Sequence, residues 1–371
     1  MKARRPPATF CPAAEEPRLL MPAEFEPHAA TWIAWPHNRT DWPGKFEPIP
    51  WVHTAIVRQL VRGERVEILV NDAAHRAQAR RCLRLAGVPL DAVRFHGWPT
   101  NRCWTRDYGP MFARVVGEEA AALHGPLAIV DWHFNAWAKY PDWRRDRRIA
   151  ALAARHLRLP LLDATLPLPE ADRPLVLEGG SIDGNGRGTL LTTRECLLSR
   201  VQQRNPGLKQ RLLEAALCGY LGTSNVIWLK RGIAGDDTHG HVDDIARFVD
   251  ARTVVAAVEP NPRDANHRSL AENLEILRAA RDQDGQPLRV FALPLPAPVF
   301  FRGQLLPASY ANFYIANRVV LVPVFNDPND RVALNLLAKL FPKREVVPIY
   351  CGDLIWGLGA IHCMTQQQPL V

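Results

Sequence analysis

The stretch VEILVNDAAHRAQARRCLRLAGVPLDAVRF, residues 66–95, contains the pattern that decides the fold. Val66–Val70 is apolar except for Glu67 and is bounded by polar residues, which predicts a strand. Asn71 or Asp72 can cap a helix that follows, and Gly87 can end it, because glycine is favoured just past a helix. A second short strand is predicted at Val93–Phe95. The stretch therefore predicts one strand–helix–strand unit.

The same order of elements recurs four more times along the chain. These units, each given as strand, helix and strand, are Leu127–Trp132, Arg147–Leu157 and Leu161–Leu162; Gly188–Thr192, Pro206–Leu217 and Asn225–Leu229; Thr253–Val258, His267–Ala280 and Leu288–Leu293; and Val319–Val324, Asp330–Leu340 and Glu345–Pro348. In the second of them, Asn205 is expected to cap the helix and Gly219 to end it. The helices recur roughly every sixty to seventy residues, which favours repeated supersecondary units.

A single doubly wound sheet is the alternative, since it also alternates strands and helices. That fold binds nucleotides through a G-x-G-x-x-G turn after an early strand. The glycine cluster Gly184–Gly188 has a different spacing and is typical of a hairpin turn between Ile182 and Thr189. The sequence therefore predicts no nucleotide site.

Composition excludes several classes of protein. The net charge is +8, but the basic residues are dispersed, which argues against a nucleic-acid partner. No apolar run approaches the length that spans a bilayer, and no apolar segment follows the basic N-terminus, so we expect no membrane partner and no signal peptide. The seven cysteines include no C-x-x-C pair, which favours reduced thiols in a cytoplasmic protein over a disulfide framework.

Two polar clusters in the first half of the chain lie where loops between the units would converge. The segment N-R-C-W-T-R-D-Y-G-P places Trp104 three residues before Asp107. A solvated Asp107 paired with Arg106 is the simpler interpretation of that segment. In V-L-E-G-G-S, Glu178 precedes Gly179 at the end of a predicted strand, which places a carboxylate on a tight turn.

A third cluster, G-D-D-T-H-G-H-V-D-D, combines histidines with acids. If it forms a strand, His241 and Asp243 point to the same side, because side chains alternate along a strand. One interpretation is a metal site that also uses His239. The other is an acid/base histidine beside a carboxylate that binds substrate. Neither H-E-x-x-H nor C-x-x-C is present to support the metal.

The fourth cluster is C-G-D-L-I-W-G-L-G-A-I-H-C-M-T-Q-Q-Q-P, residues 351–369. Its glycines at 357 and 359 permit tight turns, and Ala360–Cys363 is predicted to be a short strand. A thiol held at such a turn can be a nucleophile, although a buried cysteine is more often structural. A terminal segment does not suit such chemistry unless the tail is fixed in the fold.

The four clusters together favour a small cationic substrate. A guanidinium is planar, carries five donors and pairs bidentately with carboxylates, which explains a need for several acids around one cysteine. A tryptophan face adds a cation–π contact. Because the chain is positively charged overall, the attraction must be local to the pocket.

Five motifs resemble the agmatine deiminase branch of the bacterial, Porphyromonas-type peptidylarginine deiminases. They are M-P-A-E-F-E-P-H-A-A-T-W-I-A-W-P-H-N, W-T-R-D-Y-G-P, L-E-G-G-S, G-H-V-D-D and I-H-C-M-T-Q-Q-Q-P, and they span residues 21–369 in the family's order. The resemblance implies the pentein fold, a five-bladed, pseudo-symmetric α/β propeller. It also implies a single catalytic domain over residues 21–371, and the sequence before it, residues 1–20, is predicted to be a flexible arm.

The resemblance implies a role for each matching residue. These are the nucleophile Cys363, the acid/base His241, the guanidinium-binding Asp107 and Asp243, Glu178 as an acid that contacts the guanidinium or orients the histidine, and Trp104 and Gly179 as pocket residues. The implied reaction converts agmatine to N-carbamoylputrescine through an amidino-cysteine and requires no metal or organic cofactor, a step in polyamine metabolism. The sequence leaves open a homodimer or higher homo-oligomer.

Some residues depart from the family pattern, so other substrates are kept as alternatives. Leu358 and Ala360 stand beside the nucleophile where the family is richer in glycine and has an asparagine. Ala136 and Ala138 cannot bind a substrate carboxylate, as arginines of the peptidylarginine branch are expected to do. The arginines within 144–148 leave free or peptidyl arginine possible, and a metal-dependent hydrolase is the more distant alternative.

Overall fold

The computed structural model describes residues 18–166 and 172–371, which form a mixed α/β fold. Its strands are β1 (Arg18–Leu20), β2 (His28–Ala34), β3 (Arg65–Leu69), β4 (Val93–His96), β5 (Met111–Val116), β6 (Leu127–Asp131), β7 (Leu161–Asp163), β8 (Thr165–Leu166), β9 (Arg173–Pro174), β10 (Ile182–Gly184), β11 (Thr189–Thr193), β12 (Asn225–Leu229), β13 (Ala246–Asp250), β14 (Thr253–Val258), β15 (Arg289–Pro294), β16 (Val299–Phe301), β17 (Gln304–Leu306), β18 (Tyr314–Ile315), β19 (Val319–Val324), β20 (Glu345–Tyr350) and β21 (Gln366–Pro369). Strand β1 contains the last three residues of the predicted arm, and residues 1–17 lie outside the described part of the chain.

The helices are α1 (Ile49–Leu60), α2 (Ala73–Leu85), α3 (Thr105–Tyr108), α4 (Glu118–His124), α5 (Ile149–Leu157), α6 (Arg194–Leu198), α7 (Gln210–Leu221), α8 (His267–Ala279) and α9 (Pro328–Leu340). Among the residues that the structure describes, no helix combines the length and the apolar character needed to cross a bilayer.

The five predicted strand–helix–strand units are confirmed. The parallel strand pairs β3–β4, β6–β7, β11–β12, β14–β15 and β19–β20 are joined by α2, α5, α7, α8 and α9 respectively. Each pair lies in a separate sheet of three or four strands, with the orders β21-β2-β3-β4, β1-β5-β6-β7, β10-β11-β12, β13-β14-β15 and β18-β19-β20. The alternative of one doubly wound sheet is therefore wrong.

Local sequence signals explain several of these boundaries. The side chain of Asp72 accepts a hydrogen bond of 2.8 Å from the backbone N–H of His75, which caps α2. Gly87 follows this helix with φ +71°, a conformation that favours glycine. The predicted hairpin is also confirmed, since β10 and β11 pair antiparallel and Ile182 lies opposite Thr192.

The bounds predicted for α7 are wrong at both ends. Asn205 does not cap the helix; its side chain exchanges hydrogen bonds of 3.0 and 2.7 Å with the backbone of Val176. The helix continues through Gly219 to Leu221, and Gly222 ends it with φ +67°. Burying Tyr220 and Leu221 contributes about 1.5–3 kcal/mol for each side chain, which exceeds the roughly 0.5–1 kcal/mol cost of a glycine inside a helix.

Four helices and one pair of strands connect each sheet to its neighbour. Helix α8 packs against its own β14 and also against β12, while α9 packs against β20 and β15. Helix α1 contacts β3 and also β19, α7 contacts β1, and β21 lies beside β5. The sheets therefore contact one another in a series that returns to the sheet where it begins.

Among the cysteines that the structure describes, five agree with the predicted reduced state and one disagrees. The free, buried cysteines are Cys82, Cys103, Cys196, Cys351 and Cys363. Cys218 is disulfide-bonded, so the prediction of reduced thiols is wrong there.

The C-terminal tail is fixed in the fold by pairing with an N-terminal strand. Strand β21 runs antiparallel to β2, with Gln366 opposite Trp32. The short strand predicted at Ala360–Cys363 is wrong: His362–Met364 forms a 3₁₀ turn, and β21 begins only afterwards. The tight turn directs the side chains of consecutive residues into the interior, and Cys363 is only 7% exposed.

Candidate active site

A cavity of about 390 Å³ is lined by residues of three of the four predicted clusters. Its lining includes Trp104, Asp107 and Cys363, which are far apart in the sequence. His241, Asp243 and Glu178 are buried behind this lining. The predicted site residues are thus brought together, with the exception of Gly179.

Asp107 is presented by the short helix α3. Two donors hold its carboxylate: the indole N–H of Trp137 at 2.8 Å and the backbone N–H of Gly180 at 2.9 Å. Burial raises the pKa of Asp107 to about 6, although the nearby charge of His241 acts to lower it. Because burial disfavours the charged form of this carboxyl group, a cation bound beside it would stabilise the carboxylate.

Trp104 forms a wall of the cavity beside the thiol. Its ring lies 5.3 Å from that of Trp42, centroid to centroid, and is 5% exposed. A Cβ at Gly359 would lie 2.7 Å from the Trp104 ring and 3.2 Å from the Cβ of Cys363. The glycine therefore permits Trp104 to pack closely against the segment that contains Cys363.

Glu178 is held by a buried ion pair. The Nε of Arg204 donates to both carboxylate oxygens, at 3.0 and 3.2 Å. Burial acts to raise the pKa of Glu178, but the charge of Arg204 and the proximity of His241 outweigh it, and the pKa is lowered. Glu178 is therefore an anion that faces His241 Nε2 at 3.7 Å.

The two glycines after Glu178 have different neighbours. A Cβ at Gly179 would lie 2.2 Å from the backbone oxygen of Arg106, so Gly179 serves the packing of α3, and it lines a small separate cavity. A Cβ at Gly180 would lie 2.5 Å from His241 Nδ1 and 2.9 Å from an oxygen of Asp107. Gly180, which the sequence analysis did not single out, is the glycine that faces the acidic cluster.

His241 is surrounded by carboxylates. Its Nδ1 lies 3.8 Å from Asp107 and 3.9 Å from Asp243, and neither ring nitrogen has a hydrogen-bond partner among the described residues. Burial acts to lower the pKa of His241, but the charge of Asp107 raises it, and the pKa lies well above its ordinary value. The imidazole is therefore a cation with both N–H groups available.

Asp243 and His241 reach the site from a turn instead of the strand that was predicted. Val242–Asp244 forms a 3₁₀ turn after His241. Asp243 Oδ2 lies 2.7 Å from His362 Nδ1, whereas its Oδ1 is buried without a partner in the part of the chain that the structure describes. Burial acts to raise the pKa of Asp243, but the hydrogen bond and charge of His362 outweigh it, so that the pKa is lowered.

The Cys363 thiol lies between an amide and a carboxylate. Asn312 Nδ2 donates to Sγ at 3.1 Å, and the thiol donates to Asp243 Oδ2 at 3.7 Å. Burial raises the pKa of Cys363 well above its ordinary value, and the charge of Asp243 adds to this effect. In the absence of a cation, the sulfur is therefore held as a protonated thiol.

The described residues do not assemble the predicted metal ligands. The possible ligand groups are Glu178, Cys196 and His241, and Asp243, Asp244 and Cys363. His239 is in neither group; its Nε2 lies 3.1 Å from the hydroxyl of Ser199. Arg204 already pairs with one group, and the Asn312 amide donates to the other, which disfavours a metal ion there.

Sequence reasoning missed the residues that support the cluster. These are Asn312, Trp137, Arg204, Gly180, His362 and Glu24. Glu24 and His362 lie within quoted motifs, which was a usable signal. Asn312 has no such signal, because its partner Cys363 is 51 residues away.

The buried thiol of Cys363 lies 3.7 Å from a carboxylate that also faces an imidazolium, which is a set of groups suited to the hydrolysis of amidine or guanidinium C–N bonds. The Porphyromonas-type peptidyl-arginine deiminase family matches residues 20–369, and the chain belongs to this family. It is an agmatine deiminase-family hydrolase that acts on amidine C–N bonds.

Individual relatives agree with this assignment. The chain is 35% identical over 373 residues to an agmatine deiminase of Pseudomonas syringae pv. tomato, in a match that covers 94% of this chain and 95% of that protein. The structure is similar to that of Enterococcus faecalis agmatine deiminase catalysing its reaction, with a TM-score of 0.82, 30% identity and coverage of 95% and 96% of the two chains. It also resembles a substituted agmatine deiminase of C. jejuni with substrate bound, with a TM-score of 0.80, 25% identity and coverage of 94% and 96%.

Proposed function

We propose that this protein hydrolyses agmatine to N-carbamoylputrescine and ammonia. The observation that carries the proposal is the placement of the Cys363 thiol against Asp243, in a cavity whose wall also includes Asp107 and Trp104. The family relation supports the same reaction.

The guanidinium is bound by the two carboxylates. Asp243 Oδ1 has no partner among the described residues, so it is available to accept an N–H from the substrate. Asp107 accepts a second N–H while Trp137 and Gly180 fix its orientation. The face of Trp104 contributes a cation–π contact. The guanidinium carbon is thereby placed next to Sγ.

Binding of the cation activates the nucleophile. The carboxylates that raise the pKa of Cys363 are neutralised by the guanidinium, so the thiol more readily gives up its proton, which passes to solvent. The thiolate attacks the guanidinium carbon and forms a C–S bond. His241 gives its proton to one terminal nitrogen, the C–N bond breaks, and ammonia leaves an amidino-cysteine.

The second half of the reaction reverses the role of His241. Neutral after the first step, it takes a proton from water, and the hydroxide attacks the amidino carbon. The C–S bond then breaks, which releases N-carbamoylputrescine and returns the thiol. Glu178, fixed by Arg204, keeps the imidazole oriented and stabilises its charged form.

Agmatine is favoured over arginine because the nearby arginine side chains are either already paired with carboxylates or lie outside the cavity. Arg102 lines the cavity, but it is paired with Asp41 and with Asp142. Arg144, Arg145, Arg147 and Arg148 do not belong to the cavity lining. A substrate carboxylate would thus be buried without a free cationic partner from the described residues, which is costly.

Ammonia release tests the proposal directly. Wild-type protein is incubated with agmatine, arginine and a peptide with a C-terminal arginine, and Cys363→Ala is the matched inactive variant. We expect kcat/KM for agmatine to exceed that for arginine by at least about 100-fold. Intact-protein mass spectrometry should detect an amidino adduct on Cys363. Activity of the alanine variant, or a preference for arginine, would contradict the proposal.

We also propose that the five sheets form a five-bladed α/β propeller within one catalytic domain spanning residues 21–371. The closed series of contacts, from α8 on β12 through β21 beside β5 to α7 on β1, supports this arrangement. A cytoplasmic location and a homo-oligomeric state remain predictions.

A further inference from the structure

A buried chain of polar contacts continues from Asp243 into the interior. His362 lies between two carboxylates: its Nδ1 is 2.7 Å from Asp243 Oδ2, and its Nε2 is 2.8 Å from Glu24 Oε2. The His362 side chain is 2% exposed. Both ring nitrogens face acceptors, and an imidazole satisfies two acceptors only when each nitrogen carries a proton.

Glu24 is fixed independently of His362. Arg106 donates to its Oε2 at 2.8 Å, and Arg247 donates to its Oε1 at 2.7 Å. The backbone N–H of Ile315 adds a third donor at 2.9 Å. Burial acts to raise the pKa of Glu24, but the charge of Arg247, followed by those of His362 and Arg106, lowers it well below its ordinary value. Glu24 is thus a permanent anion that can anchor the ring.

These groups are sequence neighbours of the reacting residues. His362 precedes Cys363, and Arg106 precedes Asp107. Arg247 is four residues after Asp243. The polar chain therefore connects, through side chains, the three segments that supply the nucleophile and both guanidinium-binding carboxylates.

We propose that His362 is a positioning residue for the reaction, which holds the Asp243 carboxylate against the thiol and the guanidinium through its Nδ1–H, while Glu24 fixes the ring from behind. The partners of Asp243 support this role. Its Oδ2 faces His362, with Asn312 at 3.4 Å and Cys363 at 3.7 Å, whereas Oδ1 is left without a partner among the described residues. A hydrogen bond at Oδ2 therefore determines where the free Oδ1 points. The inference rests on the proposed deiminase reaction.

Two substitutions of His362 distinguish a role in positioning Asp243 from a role in packing alone. Asparagine at 362 can place an amide N–H near the position of Nδ1, whereas glutamine reaches the position of Nε2 and leaves Asp243 without its donor. We expect His362→Gln to lower kcat by about 10- to 100-fold, as for groups that orient a contact residue. His362→Asn should retain most of the wild-type kcat. A purely structural role predicts equal losses.

The pH profile gives a second readout. Because the His362 hydrogen bond lowers the pKa of Asp243, its loss raises that pKa. Asp107, with a pKa of about 6, sets the upper part of the acidic limb of kcat/KM. The lower part, where Asp243 is protonated, should move to higher pH in His362→Gln, and by less in His362→Asn, which keeps the hydrogen bond but loses the charge of the ring. Equal kcat values for the two variants, with an unmoved acidic limb, would overturn the proposal.

The controls address folding and substrate. His53 is 1% exposed and lies outside the site, so His53→Gln measures the cost of the same change in a packed interior. Rates are normalised to the concentration of folded protein, measured by circular dichroism. If the His362 variants do not fold, Glu24→Gln should lower kcat and move the acidic limb in the same direction. If wild type turns over arginine but not agmatine, the proposed substrate fails, and the comparison is made with arginine.

Discussion

Replacing Gly180 with alanine tests whether the carboxylate and imidazole groups must meet at this glycine. The added methyl group would lie 2.5 Å from His241 Nδ1, 2.9 Å from Asp107 Oδ1 and 3.1 Å from Asp243 Oδ2. Ordinary contacts of a Cβ begin near 3.4 Å, so the imidazole must move by about 0.9 Å. A displacement of about 1 Å at a reacting group costs on the order of 100-fold in rate, or about 2.7 kcal/mol in activation free energy.

The assay is steady-state ammonia release from agmatine, together with thermal unfolding. We expect Gly180→Ala to lower kcat/KM by about 100-fold or more while the protein remains folded. Gly97→Ala is the matched control, since Gly97 is exposed and its methyl group would have no neighbour within 4 Å among the described residues. That control should keep full activity and gain about 0.4–1 kcal/mol of stability, because alanine restricts the unfolded chain more than glycine does. Activity of Gly180→Ala within about threefold of wild type would refute this account of the site.

Three further results are expected. Because burial raises the pKa of Asp107 to about 6, kcat/KM should fall as pH decreases below that value, since a protonated acid cannot pair with a guanidinium; a flat profile between about pH 5 and 7 would contradict this. Trp137→Phe removes the N–H held 2.8 Å from Asp107 and should lower kcat/KM by about 10-fold; an unchanged value would exclude the role given to this indole. Arg204→Met leaves Glu178 as an unpaired buried charge and should cost about 3–5 kcal/mol in urea unfolding, whereas the exposed Arg278→Met should cost less than about 0.5 kcal/mol.

The fold was predictable where its signals are local. The mainly apolar run at Val66–Val70, the cap at Asp72 and the stop at Gly87 each specify structure within a few residues. Helix α7 was placed incorrectly because the burial of Tyr220 and Leu221, a tertiary effect, outweighs the local preference against glycine. The local pattern of residues contains the signals for strands, caps and helix ends, but it does not show which side chains the tertiary fold will bury.

The residues of the site also fall into those that the sequence could identify and those that it could not. Residues in conspicuous clusters, such as Asp107 and His241, could be named because unusual polar density marks them. The residues that hold the site residues in place could not be named, because their contacts join distant segments. Glu24 and Arg247, for example, are separated by 223 residues. An isolated asparagine such as Asn312 carries no sign of its role until the tertiary fold places it against a thiol.

The protonated state of the Cys363 thiol has a consequence for inhibitor chemistry. A neutral electrophile or a peroxide meets a shielded S–H group of low reactivity, since burial and the adjacent Asp243 raise the pKa of the thiol and disfavour the thiolate. An electrophile that carries its own positive charge neutralises those acids on arrival and generates the nucleophile that attacks it. Selectivity among covalent inhibitors should therefore follow their charge more than their intrinsic reactivity, and the resting enzyme should resist oxidation.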